Sequence, residues 1–113
     1  MSSTWVAVSP DAGLSPVGIA CLLYPKSEGK WYVSSVWTDP RYRRKGLGRA
    51  MVGYLGECAR AAGARELYLW VFSTNQRAID VYRKLNFAET GERQLLRTGR
   101  ERRHEIQMKL DLT

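Results

Sequence analysis

The sequence is poor in cysteine and histidine and has no long apolar run. It holds two cysteines, Cys21 and Cys58, and one histidine, His104, with no CxxC pair and no His/Cys cluster. Neither a disulfide framework nor a metal site is therefore predicted. No apolar stretch approaches the roughly 20 residues that a membrane-spanning helix needs, and the first residues lack the basic and apolar regions of a signal peptide. We expect a single cytoplasmic domain over residues 1–113 that does not contact a membrane.

Acidic residues are also scarce relative to basic ones. The chain has 18 Lys and Arg against 11 Asp and Glu, so its net charge is +7. This balance implies an anionic partner, which could be nucleic acid, a phosphorylated cofactor or an acidic surface. Hydrophobic residues make up 44% and charged residues 26%, a composition that excludes a disordered chain.

Hydrophobic patterning predicts six strands and two helices. Strands are expected at residues 4–9, 17–24, 31–38, 66–72, 87–96 and 106–112, with a turn at residues 10–13 and a half-exposed last strand. The first helix carries apolar residues at helical spacing, and the second begins after the N-cap Asn75 and ends at Asn86. The order β-β-β-α-β-α-β-β predicts a mixed α/β (α+β) fold with a six-stranded sheet. The expected apolar face of the first helix is Leu47, Ala50, Met51, Tyr54, Leu55, Cys58, Ala59 and Ala62.

A basic, glycine-containing loop precedes the first helix. Gly46 and Gly48 let the backbone turn tightly and point N–H groups outward at the positive end of the helix dipole. Arg43, Arg44 and Lys45 add positive charge beside these glycines. The combination favours a pyrophosphate ligand. The P-loop and the dinucleotide fingerprint do not fit, because Arg49 and Met51 stand where those motifs need other residues.

The setting of this loop makes it specific. Arg43-x-x-Gly46-x-Gly48 follows a strand ending near residue 38 and precedes Asn75-x-x-Ala78-Ile79-x-x-Tyr82-x-x-x-Asn86-Phe87. Together these motifs resemble the GCN5-related N-acetyltransferase (GNAT) family over about residues 4–112. The resemblance implies a GNAT-like fold and transfer of an acetyl group from acetyl-CoA to a primary amine of a small molecule, amino acid or peptide. It is a resemblance to a short form, because the family's usual first strand and two following helices have no counterpart.

The resemblance also implies site residues. Tyr82 matches the family's general acid, since a phenol of pKa about 10 can protonate a thiolate whose thiol has a pKa of about 8.5. The alternative is that Tyr82 only packs on its helix. Residues implied to bind the coenzyme lie on the strand end, the loop and the second helix: Val36, Thr38, Arg43, Arg44, Lys45, Gly46, Leu47, Gly48, Arg49 and Asn75.

No general base is evident in the sequence. The strand at residues 31–38 contains no carboxylate, Ser34 and Ser35 are not bases by themselves, and Glu28 lies in a loop. A weakly basic acceptor such as an α-amine is therefore favoured, because it is partly neutral without help. An arginine-rich stretch at residues 93–103 is expected to be a solvated hairpin. If it faced the acceptor, it would disfavour polycations.

Three alternatives remain open at this stage. The chain could be a non-catalytic CoA-binding or interaction subunit, or a nucleic-acid-binding module that stacks bases on Trp31, Tyr32, Tyr68 and Trp70. The absent N-terminal elements also favour a homodimer, or a partner subunit, that completes the acceptor groove.

Overall fold

The computed structural model describes residues 2–9 and 15–113, without the side chains of Ser2 and Thr98. The predicted turn at residues 10–13 lies outside the described residues. The elements occur in the predicted order, and two strands have the predicted bounds. They are β1 (Ser2–Val8), β2 (Gly18–Tyr24), β3 (Trp31–Thr38), a 3-10 turn (Pro40–Tyr42), α1 (Leu47–Ala61), β4 (Glu66–Phe72), α2 (Gln76–Lys84), β5 (Ala88–Thr98) and β6 (Glu101–Asp111).

The strands form one mixed sheet. Its order is β1-β2-β3-β4-β6-β5, with six strands. Within the described part of the chain, β3 and β4 are the parallel pair and the other neighbours are antiparallel. The α1 crossover joins β3 to β4, because parallel neighbours cannot be joined by a tight turn. The predicted mixed fold, with hairpins flanking one crossover, is confirmed.

The two faces of the sheet have different roles. On β4, Leu67, Leu69 and Val71 are buried in one hydrophobic cluster with Leu55 of α1 and Ile79 of α2. We call this side the helix face. Because side chains alternate along a strand, the residues between these on β4 point to the opposite side, which we call the open face. Those residues are Tyr68, Trp70 and Phe72, and they are half-buried.

The buried stripe of α1 differs from the predicted one. Val52 and Gly56 are buried, whereas Ala50, Tyr54 and Ala62 are exposed. The buried residues of α1 are Met51, Val52, Leu55, Gly56 and Ala59. Gly56 faces the sheet, because a Cβ atom there would lie at ordinary contact distance, 3.9 Å, from Leu67 Cδ2.

The C-terminal hairpin is longer and more buried at its base than predicted. Strand β5 continues to Thr98, and β6 already begins at Glu101. The two strands therefore pair over more residues toward their turn than the sequence predicted. Ile106, Gln107 and Met108 are all buried, so the expected half-exposed strand is wrong at this point. Gln107 is 4% exposed, and its Oε1 accepts a hydrogen bond of 2.8 Å from Thr90 Oγ1. This bond satisfies a polar side chain inside the sheet.

The two predictions for the ends of α2 are confirmed. Asn75 caps α2, because its Oδ1 accepts a hydrogen bond of 3.2 Å from the Ala78 N–H. Asn86 adopts a left-handed conformation (φ 76°), which ends the helix segment. Cys21 and Cys58 are free cysteines. No helix among the described residues is long and apolar enough to cross a membrane.

The rotated stripe of α1 can be tested by truncation. Val52 is 1% exposed, so Val52→Ala removes buried methyl groups and should lower the free energy of unfolding by about 2 kcal/mol. Tyr54 is 58% exposed, so Tyr54→Ala should change the free energy by less than about 0.5 kcal/mol. Urea denaturation measures both. A larger loss for Tyr54→Ala than for Val52→Ala would contradict this helix orientation.

Candidate functional site

Strands β3 and β4 separate after only three paired residues. Trp31, Tyr32 and Val33 pair with the segment 67–69, and beyond Val33 the edge of β3 that faces β4 has no strand partner. From Ser34 to Thr38 this edge extends for about 13 Å. The backbone N–H and C=O groups along such an edge can pair with an added extended chain. The opening between the two strands is called the split below.

A bulge in β3 coincides with the start of the split. Ser34 is opposite Cys21 and Trp37 is opposite Ile19, so β3 has one more residue than β2 in this stretch. Ser35 has a positive φ of 55° and an exposed side chain. The Ser35 side chain therefore does not pack within the sheet. The bulge turns Val36 and Thr38 toward the helix face, where Val36 packs on the core.

The segment after β3 is fastened to the strand end. The Asp39 carboxylate accepts hydrogen bonds from the Arg41 N–H and guanidinium, which lower the pKa of Asp39 below its usual range. Arg43 Nε donates to the Thr38 carbonyl oxygen at 3.0 Å. Arg43 thus holds the loop against the end of β3. This contact was not visible in the sequence motif.

The N-terminus of α1 has no side-chain cap. Its N-cap position is Gly46, whose left-handed conformation (φ 80°) suits a residue without Cβ. The first intrahelical bond runs from the Ala50 N–H to the Gly46 carbonyl. The N–H groups of Leu47, Gly48 and Arg49 are those that a helix leaves without an intrahelical partner. These groups and the helix dipole form a positive site that suits an anion.

Gly48 lies beside the strand end. A Cβ atom at Gly48 would lie 3.8 Å from Thr38 Oγ1, so the helix start faces Thr38 across a narrow gap. Lys45 Nζ lies 5.5 Å from the centre of the Tyr42 ring. Arg44 and Arg49 are exposed and form no ion pair within residues 2–9 and 15–113. The basic charge predicted near the glycines is therefore available to a ligand.

The second helix begins at the same edge of the sheet. Because β3 and β4 run parallel, the loops that follow them both leave from their carboxyl ends. The first loop leads to Gly46 and the second to Asn75, which is exposed. The capping bond uses the Asn75 Oδ1, and its amide nitrogen is on the other branch of the side chain. The structure therefore brings the predicted loop and Asn75 to one edge.

Tyr82 lies about 10 Å along α2 from Asn75. It is half-buried on the helix face, packs against the core cluster and contacts Phe87 with ring centroids 5.9 Å apart. Burial raises the pKa of Tyr82 above its ordinary value. The phenol therefore stays protonated at neutral and moderately alkaline pH. Packing and proton donation are compatible roles for this residue.

The open face carries a cavity that the sequence did not indicate. Its volume is about 300 Å³, and it is lined by Ser34, Ser35 and Trp70, the first residues of β3 and β4 beyond their pairing. Two carboxylates, Glu28 and Glu105, also line it. The strand itself contains no carboxylate, as the sequence analysis stated, and these two carboxylates reach its open face from other parts of the chain. The sequence could not show this, because Glu105 comes from β6, far along the chain.

The arginines of the C-terminal hairpin are exposed, as expected. Arg93 pairs in register with Ile106, and Arg97 with Arg102, so these side chains lie on the helix-face side. Arg103 is on the open face, where it lies over the Phe72 ring and bonds to Glu101. The hairpin therefore does not surround the cavity with positive charge. Across the described ranges, no group of three or more His, Cys, Asp or Glu residues is placed to hold a metal ion.

Known proteins match this chain in sequence and in fold. A model of the acetyltransferase (GNAT) family matches residues 2–87. Streptothricin acetyltransferase of Streptomyces lavendulae is 34% identical over 90 residues, which are 80% of this chain and 47% of that protein. Nourseothricin acetyltransferase has a TM-score of 0.82 at 27% identity, over 98% of this chain and 66% of that chain. The Salmonella typhimurium protein yncA, solved with its cofactor acetyl-CoA, has a TM-score of 0.76 at 21% identity. The match covers 91% of this chain and 62% of that chain.

These comparisons agree with the architecture of the site. The matched segment contains the split, the loop at Gly46 and Gly48, Asn75 and Tyr82. The chain spans about half the length of the streptothricin acetyltransferase that it matches. The family match covers more than half of this chain, so the chain belongs to the acetyltransferase (GNAT) family.

Proposed function

We propose that this chain, acting as a single domain over residues 1–113, is an acetyl-CoA-dependent N-acetyltransferase. The observation that carries the proposal is the continuity of the split with the uncapped start of α1. A strand edge without a partner ends at Thr38, and Gly48 lies beside it. This arrangement suits a ligand with an extended, amide-bearing arm and a pyrophosphate at one end, as coenzyme A has. The family uses acetyl-CoA.

The residues present fit this coenzyme. Val36 and Thr38 would offer backbone groups to the arm, and the N–H groups from Gly46 to Arg49 would hold the pyrophosphate. Arg43, Arg44 and Lys45 supply positive charge at the loop, and Asn75 has an amide at the same edge. Because Gly48 has no side chain, the gap between the start of α1 and Thr38 stays open, and a larger side chain at this position would fill it.

Tyr82 would supply a proton from the helix face. When a neutral amine nitrogen forms a bond to the acetyl carbon, the carbon–sulfur bond breaks, the nitrogen gives one proton to solvent, and the sulfur leaves as a thiolate. The Tyr82 hydroxyl gives that sulfur a proton, and solvent returns one to the phenolate. Burial raises the pKa of Tyr82, which keeps its hydroxyl protonated and also makes it a weaker acid, so the transfer depends on the hydroxyl being held next to the sulfur.

Removing the Tyr82 hydroxyl should slow turnover. Tyr82→Phe keeps the packing against Phe87 and removes the proton donor, so kcat should fall about 100-fold with little change in the KM for acetyl-CoA. Thiol release measures both constants. Tyr54→Phe is the matched control, because Tyr54 is exposed on α1. An unchanged kcat in Tyr82→Phe would remove this residue from the mechanism.

A negative charge at the start of α1 should abolish coenzyme binding without unfolding the chain. Gly48→Asp places a carboxylate where the pyrophosphate would bind, and acidic residues stabilise the first turn of a helix. In Gly48→Asp we expect the Kd for CoA to rise at least 100-fold and the Tm to stay unchanged. Gly53→Asp is the control, because a Cβ there meets nothing within 4 Å. Calorimetric titration with CoA that showed equal affinity for both variants would contradict the loop assignment.

Two alternatives from the sequence can be weighed. A nucleic-acid-binding module is disfavoured, because Tyr32 is buried and Trp31 packs against the core, so neither offers a stacking surface. A non-catalytic CoA-binding subunit would share the split and the loop. CoA binding without thiol release on any of a panel of amines would favour this alternative over the enzyme.

We also propose that two copies of the chain associate through the open face. Trp5 is 58% and Trp37 is 41% exposed, and their register partners Cys21 and Ile19 place both on that face. Burying such aromatics favours association and could complete an acceptor groove. Sedimentation should show a dimer at micromolar concentration, and Trp5→Asp should shift it toward monomer. A monomeric parent chain would refute the association.

A further inference from the structure

The cavity on the open face lies where an acceptor would approach the split. Ser34 and Trp70 flank the point at which β3 and β4 separate. Tyr82 approaches from the opposite side, because it packs on the helix face. An acceptor in the cavity and the proton donor would therefore be on opposite sides of the sheet. We call this volume of about 300 Å³ the acceptor cavity.

The acceptor cavity is acidic. Glu28 and Glu105 are the ionisable carboxylates that line it, and neither forms a salt bridge in the described part of the chain. Glu105 accepts a hydrogen bond of 2.7 Å from the Gln94 amide, which fixes its position without neutralising its charge. The negative charge of Glu28 contributes to the raised pKa of Tyr32, after the larger effect of burial. The Glu28 carboxylate is therefore close enough to influence Tyr32, which also lines the cavity.

The nearby cations on the same face are engaged elsewhere. Lys30 Nζ lies 4.9 Å from the centre of the Tyr68 ring, and Lys109 forms a 2.9 Å salt bridge with Glu66. Arg103 bonds to Glu101 at 3.2 Å. Among the described residues no cation of the chain forms an ion pair with Glu28 or Glu105, so both carboxylates are open to an added cation.

The aromatic wall suits a cation as well. Trp70, which is half-buried, lines the cavity, and an alkylammonium binds favourably to aromatic faces and to carboxylates. A molecule with a carboxylate next to its amine would be repelled by the two glutamates. The cavity thus distinguishes a basic alkylamine from an amino acid, although the sequence alone had favoured an α-amine.

We propose that the acceptor cavity selects an alkylammonium acceptor that carries no carboxylate, with Glu28 and Glu105 as the specificity-determining residues. This proposal rests on the proposed N-acetyltransferase function. Before the nitrogen can attack, the ammonium must lose one proton, which a cavity carboxylate takes and passes to solvent. The chemical class is that of alkyl diamines and amine-bearing side chains.

The test compares three acceptors of equal length: 1,5-diaminopentane, 5-aminopentan-1-ol and 5-aminopentanoate. We expect the lowest KM for the diamine and the highest for the aminopentanoate. In the double variant Glu28→Gln, Glu105→Gln, the KM for the diamine should rise at least tenfold while the KM for acetyl-CoA holds. Glu57→Gln, on the exposed side of α1, is the control and should match the parent chain.

Equal KM values for the three acceptors, a preference for aminopentanoate, or an unchanged KM in the double variant would overturn the proposal. If no acceptor is acetylated, the proposed function fails, and binding then decides this inference separately. The probe is the NMR signal of the Trp70 indole N–H, assigned with Trp70→Phe, during titration with 1,5-diaminopentane. A shift that the double variant loses supports the acceptor cavity, and no shift in the parent chain overturns it.

Discussion

The separation of β3 and β4 is the constraint on which the site depends. A sheet interior normally pairs every backbone N–H and C=O group, yet here the pairing of the parallel strands stops after Val33 and Leu69. The bulge at Ser35 lets β3 stay bonded to β2 on its other side while it diverges from β4. The chain therefore keeps a strand edge inside its own sheet, and this edge leads directly to the uncapped start of α1.

The split also separates two chemical environments. On the helix face, the apolar core around Tyr82 disfavours the charged phenolate and preserves a proton donor. On the open face, Glu28 and Glu105 make the surface beside Trp70 acidic. In the proposed reaction, the opening between β3 and β4 exposes the reacting group to an acid from one side and to an acceptor from the other. These two proposed roles require different surroundings, which the two faces have.

The sequence predicted those features that depend on neighbouring residues. Strands β3 and β4 have the predicted bounds, and the cap at Asn75 and the left-handed Asn86 follow from local backbone chemistry. Features that depend on distant residues were missed. The buried stripe of α1 depends on which side of the helix packs on the sheet, and the buried Gln107 is satisfied by a hydrogen bond from Thr90 of β5. The cavity combines a turn, two central strands and β6, and no local pattern brings Glu28 and Glu105 together.

Amide hydrogen exchange in the presence of CoA tests the central claim most directly, because that claim concerns an unpaired strand edge. The account predicts that CoA slows exchange in two segments together, residues 34–38 of β3 and residues 46–49 at the start of α1. The hairpin arginines at residues 93–103 should show no comparable change. Protection confined to the hairpin, or protection at residues 46–49 without any at residues 34–38, would contradict the account.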